Sequence, residues 1–167
     1  MIESTLLLPG DPAGGEPERE RKMKELRTEI EINASPEKVW QILTDFDQYP
    51  KWNPFIHHAV GKCKVGEKVD ITFKNGRKNM TLHCTVIKLV PNMEFCWEYK
   101  VIHPGLWHGE HCFTIEPAGE NRVRFVDLEV FTGLLIPFQA KDIDTNSRRD
   151  FETMDKALKQ KVEAAAL

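Results

Sequence analysis

Three side chains able to move protons fall within one pair of apolar runs. His111 lies in Trp107-His108-Gly109-Glu110-His111-Cys112-Phe113-Thr114-Ile115, and Asp127 and Glu129 lie in Val123-Arg124-Phe125-Val126-Asp127-Leu128-Glu129-Val130-Phe131. Pro117-Ala118-Gly119-Glu120-Asn121 separates the runs, so they read as an antiparallel hairpin. One of its faces would carry all three polar groups among Phe113, Ile115, Phe125 and Phe131. An imidazole beside a carboxylate in a low-dielectric wall is an acid/base pair: the carboxylate raises the pKa of His111, and desolvation raises that of Glu129. Such a dyad shuttles a proton to or from a carbonyl-bearing substrate, as a cyclase, dehydratase or isomerase needs. The alternative is a satisfied buried pair that orders a cavity or holds a ligand's polar end.

Whether His111 meets Glu129 depends on the turn. With Gly119-Glu120-Asn121 as the loop, and Asn121 in the left-handed region that Asn tolerates, Ala118 faces Arg122 and His111 lies opposite Glu129. Phe113 then faces Asp127, Ile115 faces Phe125 and Gly109 faces Phe131. With Gly119-Glu120 as a two-residue loop the register slips by one, so that Val126, Leu128 and Val130 face inward and Asp127 and Glu129 face water. Simple amphipathicity favours the second arrangement.

The elements that must position this hairpin follow in order. Residues 1–25, rich in Pro, Gly, Glu and Arg, form a flexible extension, and the folded domain runs over 26–167. Leu26, Thr28, Ile30 and Ile32 alternate with charged residues as a half-buried strand. Ser35-Pro36-Glu37 starts a helix with Ser35 as its cap, Val39, Trp40, Leu43 and Phe46 sharing one face. A second short helix ends at Pro54. Turn signals at Gly66-Glu67, Asn75-Gly76 and Pro91-Asn92 divide the next stretch into strands near 56–64, 68–74, 78–90 and 93–101. A two-residue Asn75-Gly76 loop would set Phe73 opposite Lys78, Ile71 opposite Met80 and Val69 opposite Leu82. The Pro91-Asn92 turn sets Val86 opposite Trp97 and Cys84 opposite Tyr99. A five-residue loop at 102–106 then pairs Tyr99 with Gly109, Trp97 with His111, Phe95 with Phe113 and Cys96 with Cys112. Gly133-Leu134-Leu135-Ile136-Pro137-Phe138 is either an apolar lip or a buried connector. The last element is a long helix with the stripe Ile143, Ser147, Phe151, Met154, Leu158, Val162, and with Arg148, Arg149, Glu152, Asp155, Lys156, Lys159 and Gln160 on its solvated face.

Composition removes several classes of function. The 167 residues suffice for one core, and 41% hydrophobic and 29% charged content is that of a globular domain. A net charge of −3 leaves no basic footprint for nucleic acid. No apolar run approaches the roughly 18 residues of a membrane span, and the start lacks the regions of a signal peptide. Cys63, Cys84, Cys96 and Cys112 have no paired close spacing, which favours reduced thiols and a cytoplasmic setting. His57 and His58 point to opposite faces of a strand, as do His108 and His111, so no metal site is expected. No phosphate loop and no Gly-x-Ser-x-Gly elbow occurs.

The run Ile30-Glu31-Ile32-Asn33-Ala34-Ser35-Pro36-Glu37-Lys38-Val39-Trp40, followed by Leu43-Thr44-Asp45-Phe46-Asp47-Gln48-Tyr49-Pro50-Lys51-Trp52-Asn53-Pro54, resembles the opening of the SRPBCC superfamily. That superfamily includes START-like domains, polyketide cyclases/dehydrases and Bet v 1-like proteins. The downstream order of elements agrees with it over roughly residues 26–165. The resemblance implies an α+β helix-grip fold, β-α-α-β-β-β-β-β-β-α, in which a curved antiparallel sheet of about seven strands wraps around the C-terminal helix. It favours the inward register, because Gly109-x-His111-x-Phe113 and Phe125-x-x-x-Glu129-x-Phe131-x-Gly133 look like the signature of one subgroup. It also implies a cavity between sheet and helix for a small or medium-sized hydrophobic molecule, polyketide-like, aromatic or lipidic.

Three functions fit that implication. The leading one is a carrier or binding protein, with Trp97, Tyr99, Phe113, Asp127, Phe131, Phe151 and Met154 around the ligand. The second is a cofactor-free cyclase, aromatase or dehydratase in which His111 is the acid or base and Glu129 orients it or relays its proton. The third is a START-like module for a protein partner, which predicts a small or filled cavity. No cofactor, metal or nucleic acid is expected, and the chain is a monomer or homodimer.

Overall fold

The computed structural model describes residues 22–75, 78–101, 103 and 105–165. The first strand, β1 (Met23–Ile32), starts three residues ahead of the expected Leu26, and the extension up to residue 21 lies outside the described residues. Next come α1 (Pro36–Thr44), a 3-10 turn (Phe46–Gln48) and α2 (Tyr49–Trp52). Six strands follow: β2 (Ile56–Gly61), β3 (Lys68–Asn75), β4 (Lys78–Val90), β5 (Glu94–Val101), β6 (Trp107–Gly119) and β7 (Arg122–Thr132). The chain closes with α3 (Ile136–Asp142), a π turn (Ile143–Ser147) and α4 (Arg148–Ala164), which run on as one long helix. All seven strands form one antiparallel sheet in the order β1-β7-β6-β5-β4-β3-β2. This is the expected α+β helix-grip fold, with α4 packed against β1 and the concave face of the sheet. No helix among the described residues is long and apolar enough to cross a membrane.

Ser35 stands at the start of α1 in extended geometry, but its side chain makes no cap bond; Lys38 and Val39 N–H donate to its carbonyl instead. Pro36 meets the first turn where no N–H is needed. Val39 and Leu43 bury the helix's apolar face. After α2, Asn53 is buried and its Oδ1 accepts the N–H groups of Phe55 and Ile56, which stops the helix and aims the chain into β2.

Registers were partly as expected. Tyr99↔Gly109, Trp97↔His111, Phe95↔Phe113 and Cys96↔Cys112 are paired as the five-residue loop requires, although Ile102 and Pro104 in that loop lie outside the described residues. Val86↔Trp97 and Cys84↔Tyr99 also occur, by a different route: Val90 pairs with Glu94 and a bulge at Ile87 restores the phase. The Asn75-Gly76 loop is corrected. Asn75 pairs with Lys78, so the connection is residues 76–77, outside the described residues, and Phe73 faces Met80 while Val69 faces Cys84. The shift is by two, which keeps the same side chains on the buried face.

Two of the four cysteines are not reduced thiols. Cys96 and Cys112 face each other directly across β5 and β6, with Cα atoms 4.2 Å apart, and form a disulfide, while Cys63 and Cys84 are free. The expected register already set Cys96 opposite Cys112; the scattered spacing along the chain gave no sign that the facing sulfurs are joined.

The long helix also closes the outer edge of β1. Arg148 donates to the Arg27 carbonyl at 3.1 Å, Lys159 donates to the Glu31 carbonyl at 2.6 Å, and Glu163 accepts the Asn33 N–H at 2.8 Å.

Candidate functional site

The hairpin turns its polar groups inward. His111 pairs with Glu129, Phe113 with Asp127, Ile115 with Phe125 and Gly109 with Phe131, so the first of the two registers is adopted. It is reached by a bulge rather than by the longer loop. Gly119 pairs with Arg122, Asn121 takes φ 49°, and Ala118 is the extra residue, its carbonyl held by Arg122 Nε and Nη2 at 3.1 and 2.9 Å.

A cavity of about 280 Å³ lies between the sheet and the α3–α4 helix. Trp97, Tyr99, His111, Glu129, Phe131 and Phe151 line it, as do Cys84 and Trp107, which were not singled out from the sequence. Phe113, Asp127 and Met154 are fully buried but stand behind that wall. At the rim are Gln139 and Asp142, both exposed. The 133–138 segment is divided between the two readings made of it, since Ile136 is buried while Leu134 and Phe138 are exposed.

His111 is clamped by ring contacts. Phe151 stacks on it at 4.8 Å with an interplanar angle of 2°, Phe113 lies 4.3 Å away, and Trp97 meets it edge-on at 5.6 Å. Its Nε2 is 2.5 Å from Asp127 Oδ1, and its Nδ1 is 3.9 Å from Glu129 Oε2. Glu129 Oε1 accepts the Tyr99 hydroxyl at 2.6 Å. The polar chain continues beyond Asp127 in the direction of the helix, where Asp155 accepts the Thr28 hydroxyl at 2.6 Å. Asp127 Oδ2 and Asp155 Oδ1 are both buried without a hydrogen-bond partner. Asp155, expected on the solvated face, is 2% exposed and belongs to the inner stripe with Phe151, Leu158 and Val162.

Burial dominates the electrostatics. It pushes the Asp127 carboxyl well above the usual carboxylate range and raises Glu129, against the pull of His111 and the Tyr99 hydrogen bond. Asp155 is pushed up to about 8 by burial, with the Asp127 charge adding to it and the Thr28 bond opposing. The expected rise at His111 is corrected: burial lowers its pKa and outweighs the Glu129 and Asp155 charges. Three carboxyls and one imidazole therefore share a site in which the uncharged forms are favoured. With a carboxyl near each ring nitrogen, the imidazole can take a proton on one side and release it on the other.

Gly109 makes this arrangement possible. A Cβ there would fall 2.3–2.5 Å from the Tyr99 ring, so only glycine lets Tyr99 lie across β6 to reach Glu129. Gly109→Ala is expected to expel the ring, break the Tyr99–Glu129 bond and cost about 2 kcal/mol in denaturant unfolding. Unfolding indistinguishable from the parent would show that Tyr99 does not occupy this place.

Among the described residues, Glu94, Cys96 and Cys112 bring ligand-type atoms within 4.8 Å of one another, but the two sulfurs are joined in the disulfide.

A comparison with curated protein sequences finds no match. Among solved structures, the chain is similar to the di-domain aromatase/cyclase StfQ from the steffimycin biosynthetic pathway, at 12% identity and TM-score 0.74, over 90% of this chain and 54% of that one. It thus spans about half of that two-domain protein. It is similar to the ZhuI aromatase/cyclase from Streptomyces sp. R1128 at 16% identity and TM-score 0.73, over 87% of this chain and 96% of that one. It is also similar to a START superfamily protein from Mycobacterium smegmatis at 23% identity and TM-score 0.67, over 84% of this chain and 98% of that one. At these identities the likenesses establish the shared fold. The family described as polyketide cyclase / dehydrase and lipid transport matches residues 23–163, nearly the whole described chain, and the chain belongs to that family and, with it, to the SRPBCC superfamily.

Proposed function

We propose that this protein binds a small hydrophobic molecule in the cavity between its sheet and its long helix, with the molecule's polar end against Tyr99, His111 and Glu129. The observation that carries this reading is the cavity itself: about 280 Å³, walled by aromatic and aliphatic side chains, with only a few polar groups converging on it. A module devoted to a protein partner would have no use for such a void, since empty apolar space costs stability. Native mass spectrometry of the protein as purified is expected to show a bound molecule of low mass, or uptake of an added apolar one. A protein that stays empty with every apolar compound offered would sink this reading.

A second reading, a cofactor-free cyclase, aromatase or dehydratase, is favoured by the placement of His111 between Asp127 and Glu129. In it His111 exchanges the proton with the substrate and Glu129 orients or recharges it. His111→Ala and Glu129→Gln should then each lower turnover at least a hundredfold, in keeping with the worth of general acid–base catalysis. Full activity in both variants would make the pair structural.

A further inference from the structure

The cavity wall is short of cations. Its ionisable side chains with acid or imidazole groups are His111, Glu129 and Asp142, and no lysine or arginine among the described residues lines it. Glu129 is 5% exposed; its Oε1 is taken by Tyr99, while Oε2 stands beyond hydrogen-bond reach of His111. One oxygen of a buried carboxyl is thus left free beside the cavity. Behind it, Asp127 and Asp155 each hold a buried oxygen without a partner, so the acidic charge that this region can carry has no fixed counter-ion. Trp97, Tyr99, Trp107 and Phe131 enclose the same space with aromatic surface, whose negative faces attract a positive charge. A carboxylate or phosphate placed there would find no lysine or arginine to pair with.

We propose that the ligand of this cavity carries a protonated amine on an aromatic or otherwise apolar body, with the ammonium donating to Glu129 Oε2 inside the aromatic wall. This rests on the reading that the cavity binds a small molecule and names the chemical class of that molecule. The groups facing Glu129 are Cys84 on β4, Tyr99 on β5, His111 on β6 and Asp127 on its own strand. Leu26 on β1 and Phe151 on α4 present apolar surface, Asp155 acts on His111 from the helix, and Asp142 stands at the rim. None of these is a permanent cation, so an arriving ammonium becomes the counter-ion of the carboxyl. Burial raises the Glu129 carboxyl above its ordinary value, and an ammonium beside it acts in the opposite direction, so amine binding favours release of a proton from that carboxyl.

The test is calorimetry on the full chain with three near-isosteric probes: tryptamine, tryptophol and indoleacetate. Tryptamine is expected to bind about tenfold or more tighter than tryptophol, with indoleacetate weakest, as an added buried charge pair implies. Its affinity should rise from pH 5 to pH 8, and its heat should vary with the ionisation enthalpy of the buffer, the mark of proton release. In Glu129→Gln tryptamine and tryptophol should bind alike. Equal affinity of the amine and the alcohol in the parent protein, or tightest binding of the acid, would overturn the proposal while leaving the ligand-binding reading intact. Absence of binding by all three would overturn the amine proposal, and the ligand-binding reading would fall with it only if native mass spectrometry also finds the protein empty with every apolar compound offered.

Discussion

Phe113→Ala is expected to cost the fold about 3 to 5 kcal/mol, the range for a fully buried aromatic ring. Phe113 is 0% exposed and sits at the centre of a ring cluster, 4.8 Å from Phe95, 5.2 Å from Trp97, 6.1 Å from Phe125 and 4.3 Å from His111. Because it does not line the cavity, no neighbouring void or ligand can relieve the hole it leaves. For a chain of this size the loss corresponds to a drop in Tm of roughly 10 °C. Trp97 and His111 would lose a supporting ring as well, so the polar chain should loosen along with the core. A thermal melt within about 2 °C of the parent would contradict this packing.

Asp155→Asn is expected to stabilise the protein at pH 8. A carboxyl whose folded pKa lies above its unfolded value keeps in the native state a proton that the unfolded chain has released, so stability falls as pH rises between the two values. For Asp155 that window runs from 3.8 to about 8. Asp127 and Glu129 act in the same direction. His111 acts in the opposite direction, because its lowered folded pKa makes the native state gain stability as pH rises, but only up to the unfolded value of 6.5. Between 6.5 and 8 the opposing effect of His111 is gone while Asp155 still acts, and stability should decline by up to about 1.4 kcal/mol per pH unit for the proton that Asp155 retains. Asparagine keeps an acceptor for the Thr28 hydroxyl and has no proton to lose. The variant should therefore show a shallower decline and be more stable at pH 8 by roughly 2 to 5 kcal/mol. Urea unfolding at pH 6.5 and 8 measures both slopes, and an identical pH dependence in parent and variant would remove Asp155 from the coupled group.

The sites that sequence could and could not place differ for physical reasons. Alternation left two registers open for His111 and Glu129, and simple amphipathicity pointed Glu129 toward water. It was the resemblance of Gly109-x-His111-x-Phe113 and Phe125-x-x-x-Glu129-x-Phe131-x-Gly133 to a family signature that favoured the inward register, which is the one adopted. Even so, the turn itself is tighter than expected, and a bulge at Ala118 makes up the difference. The same happened at Ile87, where bulge and loop compensate. At these two turns the facing pairs survive although the loop lengths differ, whereas between β3 and β4 no bulge compensates and the pairs move by two. Asp155 was missed because its charge outweighed its spacing: it follows Phe151 by four residues and precedes Leu158 by three, which puts it on the apolar stripe. Thr28, its partner, was correctly placed on the inner face of β1 by alternation alone. Trp107 shares the inward phase of Gly109, His111 and Phe113, so its lining position was legible and simply not drawn. The direction of the His111 shift was not legible, since it depends on how deeply Phe151 and Phe113 bury the ring.

The contacts of Arg148 and Lys159 with the carbonyls of Arg27 and Glu31 bear on how the protein ages in solution. β1 is an outermost strand, and a row of unoccupied backbone acceptors on such a strand recruits strands from other molecules. The helix that roofs the cavity is also the guard on that edge. Any opening wide enough to lift it away would bare a hydrophobic interior and a polymerisable strand together, so aggregation should begin from the same excursion that admits or discharges a guest. An occupant that holds the helix down would then act as a preservative against self-association, with storage lifetime tracking occupancy.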